Sequence, residues 1–399
     1  MRFLFAVSCL LSHNQWSSSR LRIEFVRFLE SLGDLLTSTC VLTPLCNGWM
    51  ARTMAPTTTM QPANGQVGQH DHQMDDAPNF GGMWIYPSSF DALPTPPAAT
   101  DAHGHPLPTN VHPGEVGSRV IYWAHGSAFA ITQAEDFVWL FGQMLSEQTG
   151  QVVLMGEYAL TSSDVFPQQL DAWARTYARL VKLYGASNVI LAGDSAGGNL
   201  SIATVLKMRD LPPPAGLALF SPWLDLRNQA LQAKSMQTLA PQNGGLSNYG
   251  TCDYLPIEGI KATAYAYASP AEREGELASP YLATEERLAS LGHPVTDDNG
   301  VTYHMRVFIT WGTAEVLRDQ QSTFVQKLRD ASVDTTAYPQ ANMPHDSAVI
   351  AANLIYTTGF GFLGVGNYSG FEPTRAWVHF FAWLKAIPGW EAAHAPKGW

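Results

Sequence analysis

From residue 117 onward, short uninterrupted apolar runs alternate with longer segments whose apolar residues recur every third or fourth position. A run of the first kind reads as a strand buried on both faces, and a segment of the second as an amphipathic helix packed on a sheet. Strands are predicted over 119–124, 152–158, 189–192, 217–220, 305–311 and 333–338, with helices over 135–147, 167–183, 200–208, 317–331 and 374–385. An earlier run, Gly82-Met83-Trp84-Ile85-Tyr86-Pro87, predicts a strand at the start of the domain. Strand and helix alternating in this way imply an α/β fold with a mostly parallel central sheet flanked by helices. Functional groups in such sheets gather at the carboxyl ends of the strands.

The rhythm breaks in several places. Residues 52–79 and 93–117 are dense in Thr, Pro, Gly, Gln and His, which predicts loops. Between 225 and 280 no regular period holds and Pro241-Gln242-Asn243-Gly244-Gly245 interrupts further, so a cap-like excursion over the site is expected there. Near the start, Leu21, Phe25, Phe28, Leu29, Leu32, Leu35 and Leu36 recur at helical spacing, with Arg22, Arg27 and Glu30 between them. This amphipathic segment is read first as packing on the catalytic domain. A lid over the site and a weak membrane-surface contact stay open as alternatives. The organisation expected is therefore an N-terminal extension with helix and linker over 1–78 and a catalytic domain over 79–399.

Composition narrows the function classes. A chain of 399 residues, 46% hydrophobic and 14% charged, has ample material for a large core. Its net charge of -11 argues against a nucleic-acid partner, which calls for a basic face. Cys9, Cys40, Cys46 and Cys252 have neither metal-site spacing nor disulfide-scaffold density, so a cytoplasmic setting is favoured. Residues 3–11 resemble the apolar part of a secretory signal, but no small-residue cleavage site follows in Ser12-His13-Asn14-Gln15-Trp16. No apolar run reaches the length of a transmembrane segment. His70-Asp71-His72 and His103-Gly104-His105 lack Cys or Glu partners and read as solvated loop, so no metal is expected.

The chemistry begins at Gly193-Asp194-Ser195-Ala196-Gly197, set straight after an apolar run and straight before a helical segment. That context is the strand-turn-helix elbow of a nucleophilic serine; the pentapeptide alone is weak. A serine hydroxyl needs a base to take its proton and an acid to hold the base in the right tautomer. In chain order after Ser195, Glu315 follows the strand 305–311 and His345 follows the next one, so both stand at strand ends. Asp319, further into the predicted helix, is the rival to Glu315. His293 and His304 precede the strand, and His379 lies within a helix. Acyl chemistry also needs N–H donors aimed at the developing oxyanion. The strand 119–124 ends in His125-Gly126-Ser127-Ala128, which offers the backbone of Gly126 and Ser127, joined by Ala196.

With these residues in place, the chain resembles the hormone-sensitive-lipase-like branch of the α/β-hydrolase fold, and within it the fungal esterases similar to steryl acetyl hydrolase. The resemblance runs from about residue 119 to the end. It rests on Gly193-Asp194-Ser195-Ala196-Gly197-Gly198, His125-Gly126, Ser221-Pro222-Trp223-Leu224-Asp225-Leu226, Ser279-Pro280-Tyr281, Glu315-Val316-Leu317-Arg318-Asp319 and Pro344-His345-Asp346. It implies a serine carboxylic ester hydrolase that removes a small acyl group from a hydrophobic ester through an acyl-enzyme, with no cofactor. Acyl transfer in fungal secondary metabolism, or ligand binding on a non-catalytic scaffold, are the alternative readings. Two departures stand out. The family's His-Gly-Gly-Gly is here His125-Gly126-Ser127-Ala128, whose backbone donors are expected to survive if the loop avoids positive φ, in a narrower site. The family's Tyr-x-Leu-Ala-Pro-Glu appears as Tyr158-Ala159-Leu160-Thr161-Ser162-Ser163. Residues 1–80 lie outside this resemblance.

Overall fold

The apolar runs become the middle of a single eight-stranded sheet. The computed structural model describes residues 59–62, 81–87, 119–132, 134, 139–227, 253, 255, 257–297, 300–357 and 371–396. Its main strands are β1 (Thr59–Pro62), β2 (Gly82–Tyr86), β3 (Val120–Ala124), β4 (Val152–Gly156), β5 (Val189–Asp194) and β6 (Gly216–Phe220). A two-stranded hairpin of β7 (Val295–Thr296) and β8 (Thr302–Tyr303) precedes β9 (Arg306–Gly312) and β10 (Asp334–Gln340). The order is β1-β2-β4-β3-β5-β6-β9-β10, antiparallel at β1–β2 and β2–β4 and parallel throughout the rest. Every residue of β3, β4 and β6 is buried, which is why these strands read as continuous apolar runs.

Alternation along each strand divides the core into two halves. Val120, Tyr122, Val189, Leu191, Leu217 and Leu219 join one apolar cluster, where α2 (Gln168–Tyr184), α3 (Ser195–Lys207) and α6 (Arg318–Asp330) pack. Ile121, Trp123, Ile190, Ala192, Ala218 and Phe220 join the other, covered by α1 (Trp139–Thr149), α7 (Ser347–Thr357) and α8 (Glu372–Lys385). The second half is rich in rings: Trp123 meets Phe141 edge-on at 4.5 Å, and Phe220 lies 4.6 Å from Trp377. Such pairs contribute beyond their buried area, roughly 0.5–1.5 kcal/mol each. On the first face, Tyr122 stacks on Trp173 at 4.0 Å. Two further helices, α4 (Ile257–Tyr267) and α5 (Glu285–Gly292), lie between β6 and β7 in the chain.

Several elements depart from the sequence expectation, among them α4, α5 and the hairpin β7–β8, which stand where no element was placed. β1 falls within 52–79, read as loop and assigned to the extension, yet it pairs with β2 as an edge strand. Helix α3 begins at Ser195 itself rather than at 200, because the serine turns directly into the helix. Helix α7 follows His345 where none was placed. Its apolar residues form an almost unbroken run, including Ala348 to Ala352, which hides the helical period. The amphipathic segment 21–36 lies outside the described residues, as do all positions from 228 to 252.

Candidate active site

At the carboxyl end of β5 the chain turns within one residue into α3, and Ser195 sits on that turn with φ 51°, in the left-handed region. An L-residue held there costs about 1–2 kcal/mol, so surrounding structure must enforce it. The flanking glycines make the turn possible. A Cβ at Gly193 would meet Gly197 O at 2.5 Å, and one at Gly197 would overlap Ala124 O and meet His125 O at 2.5 Å. The elbow is thus pressed against the end of β3 at distances that only glycine permits. Below it, the buried Asp194 accepts a hydrogen bond from Trp123 Nε1 at 2.9 Å. Burial, and the nearby charge of Asp346, push the Asp194 carboxyl up to about 7.

His345 reaches the elbow from the loop after β10. Its Nε2 lies 2.9 Å from Ser195 Oγ, and its Nδ1 lies 3.5 Å from Glu315 Oε2, an ion-pair separation. Glu315 is fully buried in the loop after β9, where its Oε2 accepts hydrogen bonds from Ser221 Oγ at 2.8 Å and Gly312 N at 3.3 Å. Ser221 Oγ in turn accepts from Asp346 N at 3.1 Å, which ties the carboxyl ends of β6, β9 and β10 together. Burial on its own pushes the His345 imidazole down. The Asp346 and Glu315 carboxylates beside it outweigh that and hold it well above its ordinary value. Asp319 is elsewhere, in the first turn of α6 and paired with Arg318 at 3.1 Å. His304 pairs with Asp334 at 3.4 Å and His379 stacks on Tyr338 at 4.1 Å, both in other surroundings.

The loop after β3 departs from its expectation. Ser127, Ala128 and Phe129 have φ of 74°, 55° and 61°, so three successive non-glycine residues adopt left-handed backbone, and the condition attached to the survival of the loop's donors, that positive φ be avoided, is not met. The loop is held by its neighbours. Tyr158 Oη donates to His125 O at 2.8 Å and Gly126 O at 3.0 Å, and its ring stacks on His125 at 4.2 Å. Glu157 approaches His125 Nε2 at 3.3 Å and accepts from Ala134 N at 2.8 Å. Ser127 Oγ bonds to Gly126 O, to Thr132 Oγ1 at 2.6 Å and to Thr132 N at 3.1 Å. Phe129 stacks on Tyr267 of α4 at 3.7 Å. Ala196, in the first turn of α3, has an N–H with no partner inside the helix.

Two carboxylates in this region escaped the sequence reading. Asp346 was read only as part of the Pro344-His345-Asp346 match, yet its Oδ2 lies 3.0 Å from His345 Nε2. Asp253 comes from the irregular stretch before α4, is buried, and accepts hydrogen bonds from Val316 N at 2.7 Å and His345 N at 3.2 Å. It fastens the loop bearing Glu315 to the one bearing His345. No spacing rule points to it, because its partners are backbone groups.

Residues 121–349 match the model of a family described by the α/β hydrolase fold. The esterase LipU of Mycobacterium tuberculosis is 32% identical over 249 residues, covering 62% of this chain and 76% of that protein. The putative steryl acetyl hydrolase mug81 of Schizosaccharomyces pombe is 25% identical over 185 residues, 44% of each chain. With several other curated relatives the chain aligns over less than half of their length, between 31% and 48%. Among solved structures, a hormone-sensitive lipase from a metagenome library aligns with 87% of this chain and 98% of its own at a TM-score of 0.57. At 19% identity that likeness speaks for the fold alone.

Proposed function

Because the chain belongs to the α/β hydrolase fold family, we propose that it is a serine carboxylic ester hydrolase that works through an acyl-enzyme, with Ser195, His345 and Glu315 as its triad. The observation that carries this reading is the 2.9 Å separation of Ser195 Oγ and His345 Nε2, with Glu315 on the far side of the ring. Once the pH exceeds its raised pKa, neutral His345 takes the hydroxyl proton as Ser195 Oγ attacks the ester carbonyl, and Glu315 stabilises the imidazolium that forms. The N–H groups of Gly126, Ser127 and Ala196 receive the oxyanion, while His125, Gly193, Asp194 and Gly197 shape the walls and the turn. Collapse of the tetrahedral intermediate breaks the bond to the alcohol oxygen, which leaves with the proton from His345. Water, deprotonated by the same imidazole, then attacks the acyl-enzyme and releases the acid. These steps draw only on protein groups and water.

The substrate class that belongs to this proposal is a hydrophobic ester with a small acyl group such as acetyl. Relatives named acetyl-hydrolase and steryl acetyl hydrolase favour it, as do the side chains that Ser127 and Ala128 place where glycines usually stand. Among the described residues no helix is long and apolar enough to cross a membrane, and a weak surface contact through the segment 21–36 belongs to this same proposal. Hydrolysis of p-nitrophenyl esters of increasing chain length tests the reading. Release should be fastest with acetyl and vanish in Ser195→Ala, and unchanged release in that variant refutes the assignment.

A further inference from the structure

His345 Nε2 has two side-chain oxygens within hydrogen-bonding distance, and only one of them belongs to the proposed triad. Ser195 Oγ lies at 2.9 Å and Asp346 Oδ2 at 3.0 Å. A single N–H cannot serve both well, and in catalysis the same nitrogen must hand its proton to the departing alcohol oxygen. The Asp346 carboxylate therefore stands where that alcohol must come. Its direction is set by the backbone: Asp346 has φ 50°, and its N–H is committed to Ser221 Oγ at 3.1 Å. The side chain is nine-tenths buried, and its second oxygen, Oδ1, has no hydrogen-bond partner among the described residues. A buried acceptor left without a donor is costly, and a ligand that brings the donor recovers that free energy.

We propose that Asp346 is a specificity-determining residue on the leaving-group side, whose carboxylate selects esters of alcohols that carry a second hydroxyl or an ammonium group beside the scissile oxygen. The inference rests on the ester-hydrolase reading above and narrows its substrate class: an apolar alcohol, with one donor next to the acylated position. As the alcohol oxygen takes over Nε2, the carboxylate exchanges an imidazole N–H for the substrate's O–H or N–H, so displacing it leaves no charge unpaired. An alcohol with no donor strands it. Charge points the same way. The groups facing Asp346 are His345 from its own loop, Glu315 from the loop after β9 and Asp194 from the elbow, and Asp253 lies beside the same His345, so four carboxyl groups surround one imidazole. An anionic alcohol is repelled by this set. Burial, opposed by His345, raises the Asp346 carboxyl above its ordinary range, so selection sharpens as pH rises and the group ionises.

Acetates of matched size give the test: 2-hydroxyethyl acetate, propyl acetate and 3-acetoxypropanoate, with kcat/KM corrected by the rate of each ester with hydroxide. The native protein should prefer the hydroxyethyl over the propyl ester by roughly tenfold or more, the scale of a hydrogen bond to a charged group. It should turn over the anionic ester most slowly. In Asp346→Asn the first ratio should shrink several-fold, and the acid limb of kcat/KM should move to lower pH, because the charge that raises His345 is gone. The change in the ester ratio is the readout that a purely structural or electrostatic role beside His345 would not move. A native ratio near one overturns the inference while leaving the hydrolase standing, and so does a ratio that survives in both Asp346→Asn and Asp346→Ala. If no ester is cleaved and a fluorophosphonate leaves Ser195 unmodified, the underlying reading falls, and this inference with it. Should the variants fail to fold, the native ratio and its rise with pH decide the matter alone.

Discussion

Replacing Gly126 with alanine perturbs the proposed oxyanion loop without changing any residue of the proposed triad. The new Cβ would overlap Asp194 Oδ2 and lie 3.3 Å from Asp194 Cγ and 3.1 Å from Ser195 Cβ. Asp194 has little freedom to yield, since it is buried and its other oxygen is held by Trp123 Nε1 at 2.9 Å. The loop must therefore retreat from Ser195, by about 1 Å if ordinary contact is to be restored. A misplacement of that size at reacting atoms costs on the order of 10²-fold in rate, and overpacking a buried site costs roughly 1–3 kcal/mol in stability. Turnover of p-nitrophenyl acetate, read beside urea denaturation, separates the two effects. The expectation is a kcat lower by about 10²-fold in protein that still folds cooperatively. A folded Gly126→Ala variant with kcat within about threefold of native would refute the idea that this loop holds the oxyanion against Ser195.

Two further outcomes follow from the backbone and from buried charge. Ala128→Gly relieves a left-handed alanine, worth about 1–2 kcal/mol, against about 0.4–1 kcal/mol of added unfolded-chain entropy. Ser127→Gly relieves the same strain but loses the hydroxyl bonds to Thr132 at 2.6 and 3.1 Å. Thermal unfolding should rank Ala128→Gly above Ser127→Gly, and the reverse order would contradict the account of this loop. Asp253 is raised from 3.8 to about 7 mainly by burial. A carboxyl raised on folding stabilises fully below its unfolded value and loses that contribution as pH climbs through the folded one. Stability should thus fall between pH 4 and 7, at up to about 1.4 kcal/mol per pH unit for such a group. Urea denaturation across this window should show a shallower fall in Asp253→Asn, and an identical slope would disprove the assignment.

How much of this was legible beforehand depends on which physical signal each part carries. The central strands announced themselves because burial on both faces demands unbroken apolar runs, as in Val120–Ala124. Ser195, Glu315 and His345 were placed together by chain order and by their position after strands, without any contact being visible. The conformation of Ser127, Ala128 and Phe129 was not readable, since nothing in those residue types signals positive φ; the Tyr158, Glu157 and Thr132 contacts impose it. Asp253 was hidden for another reason. It acts on backbone N–H groups from an irregular segment, where neither period nor motif marks it. β1 likewise is an edge strand of Thr-Met-Gln-Pro, too short and too polar to stand out from loop.

The central claim is that Ser195 Oγ becomes acylated with His345 as its base. Acid quenching during turnover of p-nitrophenyl acetate, followed by peptide mass spectrometry, tests it most directly. The account predicts an acetyl group on the peptide containing Ser195, abolished in Ser195→Ala and strongly reduced in His345→Ala. Sustained release of nitrophenol with the acetyl group on another residue, or undiminished in either variant, would contradict it.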